Sequence, residues 1–442
     1  MIHLKVFPKR FNLLHVTFII FHFAFFNSSC TPYHNISRQA DKTLLKDASI
    51  SMGHAGICIY EPATRTFWYE RQSGNYFIPA SNTKLFTLYA GMKYLGDSIT
   101  GLLYRKQENG ITAIIPTGDP TFLHPDFKKQ PILSFLQSQE SIQIDFPTGK
   151  FEDYGSGWAW DDYMESYMVP RSVYPIYGNL VNINRVSNDS VVIFPYYFNE
   201  LAKQFRSYKN GIEVKRNFSD NRLFISEGNR NNIDVPFYSK EETVARLLED
   251  TLKIKTGYLN PEISSGQYIK LYSRPSDSLF TPMMHDSDNY LAEQVLLMAG
   301  NNYLGYMSDK IMIDSLLKTS LKDVPQKPRW VDGSGLSRYN LFTPGSFVYI
   351  LEKMKDEFGM PRMKIILPTG GEGSLYNYYE TGKGSIFAKS GTLSNNSALS
   401  GYLYTQKGRL LIFSILLNHY PGKAAGARHA MEKFLLHIRN NY

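Results

Sequence analysis

The sequence is poor in cysteine, and it has neither a dense run of basic residues nor a metal-ligand motif. Two cysteines, Cys30 and Cys58, occur in 442 residues, so no intrachain disulfide framework is needed, and Cys58 is expected to be a buried strand residue. The net charge of +8 is spread along the chain and does not form the basic patch of a nucleic-acid-binding protein. No His, Cys and Asp cluster has metal-binding spacing, so we predict no metal and no other cofactor.

Long apolar runs are also scarce, and the run near the N-terminus is typical of an export signal. Three basic residues within 5–10 precede an apolar run over 11–26, which is too short for a confident membrane span. Small residues then precede Cys30, as they do at a bacterial lipoprotein cleavage site. We therefore expect residues 1–30 to be a signal peptide and favour lipidation of Cys30, with ordinary cleavage or a retained anchor as alternatives. The mature chain would then lie in the periplasm or cell envelope.

The predicted pattern of helices and strands is similar at the two ends of the chain and different in the middle. Both ends mix helical spacing with alternating strands. Over residues 96–274, short aromatic strands, such as the one predicted at 191–198, alternate with Gly, Asn and Asp turns. We predict an α+β fold in which residues 31–95 and 275–442 form one domain, and residues 96–274 form a strand-rich insertion.

Ser81 and Lys84 stand three residues apart, where a strained turn leads into a predicted helix. Three residues make nearly one helical turn, so the hydroxyl and the ammonium group lie on the same face. A serine hydroxyl becomes a good nucleophile when a neighbouring base takes its proton, and a lysine in a desolvated cleft can be that base because burial lowers its pKa. Ser315 and Lys318 repeat the spacing in an amphipathic stretch, where we expect a solvated face.

A serine acylation site also needs a proton relay and an amide that holds the substrate. Residues 287–289, Ser-Asp-Asn, precede an apolar helix that can fix the serine and the asparagine toward one cleft. The same triplet at 219–221 lies in a polar hairpin, where we expect it only to form a turn.

The site further needs a cation for the substrate carboxylate. Residues 389–392, Lys-Ser-Gly-Thr, are predicted on an edge strand, where a lysine beside a glycine lets a peptide lie close to the backbone. A second triplet, Lys-Thr-Gly at 255–257, follows a predicted helix and is interpreted as the end of that helix.

Three triplets in this order match the signature S-x-x-K, S-D-N and K-T-G. Longer phrases support the match at Thr117–Thr121, Gly157–Asp162, Val331–Ser337 and Leu367–Gly371. The chain resembles the serine D-Ala-D-Ala carboxypeptidase/endopeptidase family, the low-molecular-mass class C penicillin-binding proteins. The resemblance implies a serine β-lactamase/transpeptidase-like domain, an antiparallel sheet with helices on both faces, that carries a large insertion after the nucleophile helix. It also implies peptidoglycan stem peptides as substrates and β-lactam antibiotics as acylating inhibitors.

The same resemblance implies the roles of the site residues. Ser81 would be the acylated nucleophile and Lys84 its general base, and the backbone N–H groups of Ser81 and Thr392 would form the oxyanion hole. Ser287 would relay protons to the leaving D-alanine, while Asn289 would hold the amide on the acyl side.

The resemblance also implies that Lys389 attracts the substrate carboxylate, with Ser390 as a hydrogen-bonding partner and Gly391 beside it. Threonine is usual in the family at the position of Ser390. The hydroxyl survives and a methyl group is lost, so we expect activity to remain and positioning to loosen. Asp161 and Asp162 are candidates to bind the amino group of a diamino acid in the stem peptide, or alternatively form a helix cap beside packed aromatic residues.

Together these features predict an exported serine D-Ala-D-Ala carboxypeptidase, and they leave open whether it also cleaves peptide cross-links as a DD-endopeptidase. One alternative is a β-lactamase or esterase on the same scaffold, which the long insertion disfavours because small soluble substrates need no extra wall. The other alternative is a non-catalytic peptidoglycan-binding lipoprotein, whose only support is the departure at Ser390.

Overall fold

The structure, a computed structural model, describes residues 32–107, 110–205, 207–258 and 266–442. The predicted signal peptide, with Cys30 at its end, lies outside these residues. Among the described helices, none combines the length and the apolar character needed to cross a membrane.

The elements are numbered in chain order. The strands are β1 (His54–Glu61), β2 (Thr66–Arg71), β3 (Ser98–Lys106), β4 (Ile111–Pro116), β5 (Ser141–Ile144), β6 (Leu180–Ser187), β7 (Ser190–Phe194), β8 (Ala202–Gln204), β9 (Ile212–Arg216), β10 (Leu223–Glu227), β11 (Asn232–Pro236), β12 (Lys255–Tyr258), β13 (Ile269–Pro275), β14 (Ile386–Leu393), β15 (Asn396–Tyr404) and β16 (Leu410–Asn418). The α-helices are α1 (Pro32–Ala40), α2 (Lys84–Tyr94), α3 (Pro131–Gln137), α4 (Glu241–Leu252), α5 (Asp277–His285), α6 (Asn289–Leu304), α7 (Asp309–Lys318), α8 (Pro344–Phe358), α9 (Met360–Ile366) and α10 (Ala424–Asn441).

Strands from the two ends of the chain form one antiparallel five-stranded sheet in the order β14-β15-β16-β1-β2. Successive side chains of a strand point to opposite faces, so Ile57 and Ile59 pack into one core with helices α1 and α10. Cys58 and Tyr60 pack on the other face, into a core that includes side chains of α2, α6 and α8. The predicted α+β fold, an antiparallel sheet between helical layers, is confirmed, and strand β14 lies at its edge.

The middle of the chain forms three further sheets. One has five strands in the order β12-β5-β4-β3-β13, and the other two have three strands each, in the orders β11-β6-β7 and β8-β10-β9. Their apolar side chains, from Leu102 to Leu252, form a third core. In the described part of the chain these strands pair only with one another, a pattern typical of an insertion between two halves of a domain.

Two local predictions in this middle region were wrong. The strand predicted over 191–198 ends at Phe194, because Pro195 has no N–H group to donate to a neighbouring strand. The triplet 255–257 does not end a helix: Lys253 ends helix α4 in a left-handed conformation, and the triplet then opens strand β12 at a sheet edge. Lys253 and Ile254 thus separate the triplet from the helix.

Candidate active site

Ser81 lies in a tight turn that runs directly into helix α2. Residues Ala80–Thr83 form a 3₁₀ turn, and the φ angle of Ala80 is +49°, which is uncommon for a residue with a Cβ atom. A Cβ atom added to Gly335 would lie 2.0 Å from the carbonyl oxygen of Ala80, so the loop that packs on this turn needs a glycine there. The strained turn predicted before the nucleophile helix is therefore present and closely packed.

Lys84 is completely buried, and its ammonium group contacts three oxygen atoms. Lys84 Nζ lies 3.1 Å from Ser81 Oγ, 2.6 Å from Asn289 Oδ1 and 2.7 Å from the carbonyl oxygen of Ser334. Burial lowers the pKa of Lys84 to about 8, although three nearby carboxylates act in the opposite direction. A large fraction of Lys84 is therefore neutral at mildly alkaline pH, and the neutral amine has a lone pair that can accept the Ser81 proton.

The Ser-Asp-Asn triplet fixes the first turn of helix α6 next to this lysine. Ser287 has a φ angle of +61°, and Asp288 caps the helix by accepting a hydrogen bond of 2.8 Å from a backbone N–H group of its first turn. Asn289 is consequently the first helical residue. Its Oδ1 accepts a hydrogen bond from Lys84, and its Nδ2 donates to the carbonyl oxygen of Tyr167 at 2.9 Å.

Lys389 is a second buried lysine, and it links the edge strand to Ser287. Its Nζ donates to Ser287 Oγ at 2.8 Å and to the carbonyl oxygen of Ser390 at 2.6 Å. Burial, and then the positive charges of Lys84 and Arg428, lower the pKa of Lys389 well below its ordinary value. A lysine of low pKa next to a serine hydroxyl can exchange a proton through that hydroxyl.

Gly391 lies where strand β14 packs against the nucleophile turn. A Cβ atom added to Gly391 would lie 2.9 Å from the backbone nitrogen of Ser81, so a larger residue would displace the turn. Asn82, in the nucleophile turn, also forms hydrogen bonds that hold strand β14 in place. In the amide orientation that satisfies both its ends, Asn82 Nδ2 donates to the carbonyl oxygen of Lys389 at 2.8 Å, and its Oδ1 accepts from a serine hydroxyl on β15 at 2.7 Å.

Each of the three sequence motifs contributes one residue to the lining of a cleft of about 430 Å³. Ser81, Asn289 and Thr392 line it directly. Ser390, on the same strand, is half-buried, and the hydroxyl of Thr392 is exposed toward helix α10. The structure thus brings all three sequence triplets together around one opening.

The two aspartates proposed for the stem peptide differ in position. Both lie in the 3₁₀ turn Trp160–Asp162, which is preceded by Ala159 and not by a capping aspartate. Asp162 lines the cleft, whereas Asp161 is exposed and is not among the described residues that line it. Arg338, which the sequence did not indicate, lines the same cleft.

A buried network of charged residues lies behind the cleft, and it was not predicted from the sequence. Glu293 Oε1 accepts a hydrogen bond of 2.7 Å from the backbone nitrogen of Ser334, and its Oε2 lies 3.4 Å from Arg171, which also contacts Asp309 at 2.5 Å. Burial raises the pKa of Glu293 to about 7. Since the Ser334 carbonyl accepts a hydrogen bond from Lys84, the network positions one of the three acceptors around the proposed base.

Asp332 shapes the loop that carries Ser334. Its carboxylate accepts hydrogen bonds from the backbone nitrogens of Gly335 and Ser337, at 2.9 and 2.7 Å, and from the indole nitrogen of Trp158 at 2.9 Å. A buried carboxylate with several donors is well satisfied. The segment Val331–Ser337 is therefore a structural turn that supports the cleft.

The other copies of the triplets lie away from the cleft. Lys318 is exposed on helix α7, residues 219–221 connect β9 to β10, and Lys255 lies on β12. None of them is among the described residues that line the cleft. The described part of the chain also contains no group of three His, Cys, Asp or Glu residues that could hold a metal ion.

This chain is similar to known proteins in both its amino-acid sequence and its fold. A D-alanyl-D-alanine carboxypeptidase from Actinomadura sp. is 24% identical over 450 residues, which cover 88% of this chain and 82% of the relative. The crystal structure of penicillin binding protein 4 from Haemophilus influenzae has a TM-score of 0.72 at 20% identity and covers 92% of this chain and 99% of its own. A penicillin G acylated predatory endopeptidase from Bdellovibrio bacteriovorus has a TM-score of 0.50 at 14% identity, covering 88% of this chain and 92% of its own.

A protein-family model also matches nearly the whole chain. The D-Ala-D-Ala carboxypeptidase 3 (S13) family matches residues 37–438, which include both halves of the central sheet and the whole middle region. The chain belongs to this S13 family of serine hydrolases.

Proposed function

We propose that the protein is an exported serine D-Ala-D-Ala carboxypeptidase that acts on peptidoglycan stem peptides through an acyl-enzyme on Ser81, and that penicillin acylates the same residue. The observation that carries the proposal is the 3.1 Å contact between Ser81 Oγ and the Nζ of the buried Lys84. Membership of the S13 family and the second buried lysine, Lys389, on the adjoining edge strand support the same chemistry.

In the acylation step, neutral Lys84 accepts the hydroxyl proton while Ser81 Oγ attacks the carbonyl carbon of the penultimate D-alanine. The backbone N–H groups of Ser81 and Thr392 stabilise the negative charge that develops on the carbonyl oxygen. The C–N bond then breaks as Ser287, which is hydrogen-bonded to Lys389, gives its hydroxyl proton to the leaving amine. The proton held by Lys84 replaces the one that Ser287 has given, so that Lys84 is neutral again. The terminal D-alanine departs, and the acyl group remains on Ser81 as an ester.

In the deacylation step, water attacks this ester while Lys84 accepts one of its protons. Lys84 then gives that proton to Ser81 Oγ as the ester C–O bond breaks, which regenerates the serine hydroxyl and the neutral lysine. During both steps Asn289 holds the amide on the acyl side of the substrate. Lys389 attracts the terminal carboxylate, with a hydrogen bond from the Ser390 hydroxyl, and Gly391 leaves room for the peptide beside strand β14.

The cleft also has charges that suit the side chain of the stem peptide. Asp162 lines the cleft, with Asp161 next to it in sequence, and both are proposed to attract the amino group of a diamino acid. Arg338 lines the same cleft and would complement a carboxylate near that amino group. A residue carrying both an amino and a carboxyl group would therefore fit here.

We also propose an organisation and a location for the whole chain. Residues 1–30 would be a lipoprotein-type signal peptide with lipidation at Cys30, residues 31–95 and 275–442 the catalytic domain, and residues 96–274 the insertion. The strand pairing of the middle region supports the division, and the extracytoplasmic position of peptidoglycan supports a periplasmic or envelope location. The lipid anchor would be the only contact with the membrane, and no nucleic acid is expected as a partner.

The test of the proposal is product analysis with the purified protein. A free pentapeptide ending in D-Ala-D-Ala is expected to lose one D-alanine, and Ser81→Ala is expected to abolish this release, because no acyl-enzyme can form. Purified sacculi are incubated in parallel. Conversion of cross-linked dimers to monomers would add DD-endopeptidase activity, which the Bdellovibrio relative's description as an endopeptidase makes worth measuring.

The same assays separate the alternatives. A β-lactamase or esterase would turn over penicillin rapidly and release no D-alanine from the pentapeptide. A non-catalytic peptidoglycan-binding lipoprotein would bind sacculi and yield no product from either substrate. Either of these two patterns would contradict the proposed carboxypeptidase function.

A further inference from the structure

Arg428 on helix α10 lies beside the cleft end of strand β14. Its Nη2 donates a hydrogen bond of 2.8 Å to Thr392 Oγ1, and Thr392 lines the cleft that contains Ser81. The guanidinium packs over the ring of Tyr378, 5.8 Å from its centroid, and the side chain is half-buried. These contacts hold the arginine against the strand that carries the lysine proposed to attract the substrate.

The positive charge of Arg428 has no acidic partner in the described part of the chain. Glu432, one helical turn further along α10, accepts a hydrogen bond from the backbone nitrogen of Tyr379 and contacts His429 at 3.2 Å. A guanidinium has five N–H donors in a rigid fork, and the hydrogen bond to Thr392 uses one of them. Donors therefore remain for an anionic ligand.

The charge of Arg428 also acts on Lys389, the lysine proposed to attract the substrate carboxylate. Burial has the largest effect on the pKa of Lys389 and lowers it. The positive charges of Lys84 and Arg428 lower this pKa further, whereas the charge of Asp286 raises it. Arg428, whose guanidinium stays charged, can attract a carboxylate from solution to this end of the cleft. Ser390, in addition, lacks the methyl group that threonine would provide beside the carboxylate, so a further positioning group would be useful here.

We propose that Arg428 binds the terminal carboxylate of the substrate together with Thr392, which makes the enzyme selective for peptides that end in a free carboxylate. The proposal rests on the carboxypeptidase function proposed above. A guanidinium can form two parallel hydrogen bonds with a carboxylate, and each is stronger than a bond between neutral groups. A terminal amide has no charge and offers only one acceptor oxygen, so Arg428 contributes little to its binding.

The test compares two pentapeptides that differ only at the terminus, one ending in D-Ala-D-Ala carboxylate and the other in its carboxamide. For Arg428→Gln, kcat/KM for the carboxylate peptide is expected to fall by about 10- to 100-fold, which corresponds to one charge-assisted interaction. The value for the carboxamide is expected to stay unchanged. Arg428→Lys should fall between the wild type and Arg428→Gln, because it keeps the charge and loses the fork.

Lys433→Gln is the matched control, because Lys433 is exposed on the same helix and the variant removes the same charge. This variant should leave both peptides unaffected. An equal loss on both peptides in Arg428→Gln would show a merely structural role, and no loss on either would show no role; both results would overturn the inference. If the wild type releases no D-alanine, the proposed carboxypeptidase function itself is contradicted. If the wild type releases D-alanine and Arg428→Gln releases it at the same rate, only the role of Arg428 is contradicted.

Discussion

Replacing Lys84 with methionine is expected to slow the acylation of Ser81 by labelled penicillin about a thousandfold, the middle of the range for a general base. The hydroxyl of Ser81 would lose the amine that lies 3.1 Å away, and no other described amine contacts it. Methionine keeps much of the volume of the buried side chain, so the helix should stay packed. The rate of label incorporation measures the effect, and the melting temperature checks that the variant is folded.

Lys318→Met provides the control for this first prediction. Lys318 follows Ser315 at the same spacing as Lys84 follows Ser81, but it is exposed on helix α7. Its replacement should leave acylation unchanged. A folded Lys84→Met variant that acylates at the wild-type rate would contradict the role of Lys84 as the base.

The pH dependence of the wild type follows from the same residue. Lys84 must be neutral to accept a proton, and its pKa is lowered to about 8. The acylation rate should therefore rise with pH below about 8, where the neutral fraction increases, and level off above it. A rate that keeps rising until the ordinary lysine range is reached would indicate that Lys84 is not buried in the free enzyme as described.

Replacing Lys389 with alanine is expected to lower kcat/KM for the D-Ala-D-Ala pentapeptide about a hundredfold, because removal of one member of a buried, hydrogen-bonded charge pair costs about 2–5 kcal/mol. The substrate carboxylate would lose its principal cation. Ser287 would also lose the donor that lies 2.8 Å from its hydroxyl, so proton transfer to the leaving amine should slow. Steady-state measurement of D-alanine release gives the value.

Lys255→Ala is the matched control for this second prediction. Lys255 begins the triplet that is closest to the usual K-T-G sequence, yet it lies on strand β12 of a different sheet. Its loss should leave D-alanine release unchanged. If Lys255→Ala lost activity and Lys389→Ala kept it, the assignment of the triplets would be reversed.

The sequence indicated the candidate triplets because each depends on a short local pattern. Ser81 and Lys84 share one helical turn, and Lys389 follows a short apolar run in strand β14 at the edge of the sheet. The central sheet was also predictable, since the strands at both chain ends alternate in the same way. Proline marks the place where such reasoning failed: the strand predicted over 191–198 ends before Pro195, which cannot donate a ladder hydrogen bond.

The supporting charges could not be predicted in the same way. Glu293 follows Asn289 by four residues on helix α6, so its helical face was predictable, but its contact with Ser334 was not. Arg171 lies 122 residues before Glu293, and Arg428 lies 36 residues after Thr392. Only the folded chain brings such pairs together, because no local spacing relates their positions.

The measurement that tests the acyl-enzyme most directly is mass-spectrometric mapping of the residue modified by benzylpenicillin. The protein is incubated with the antibiotic, digested and compared with Ser81→Ala treated in the same way. The structure predicts one stable adduct, on the peptide that contains Ser81, and no adduct in the variant. Equal modification of both proteins, or an adduct on another serine such as Ser315, would contradict Ser81 as the nucleophile.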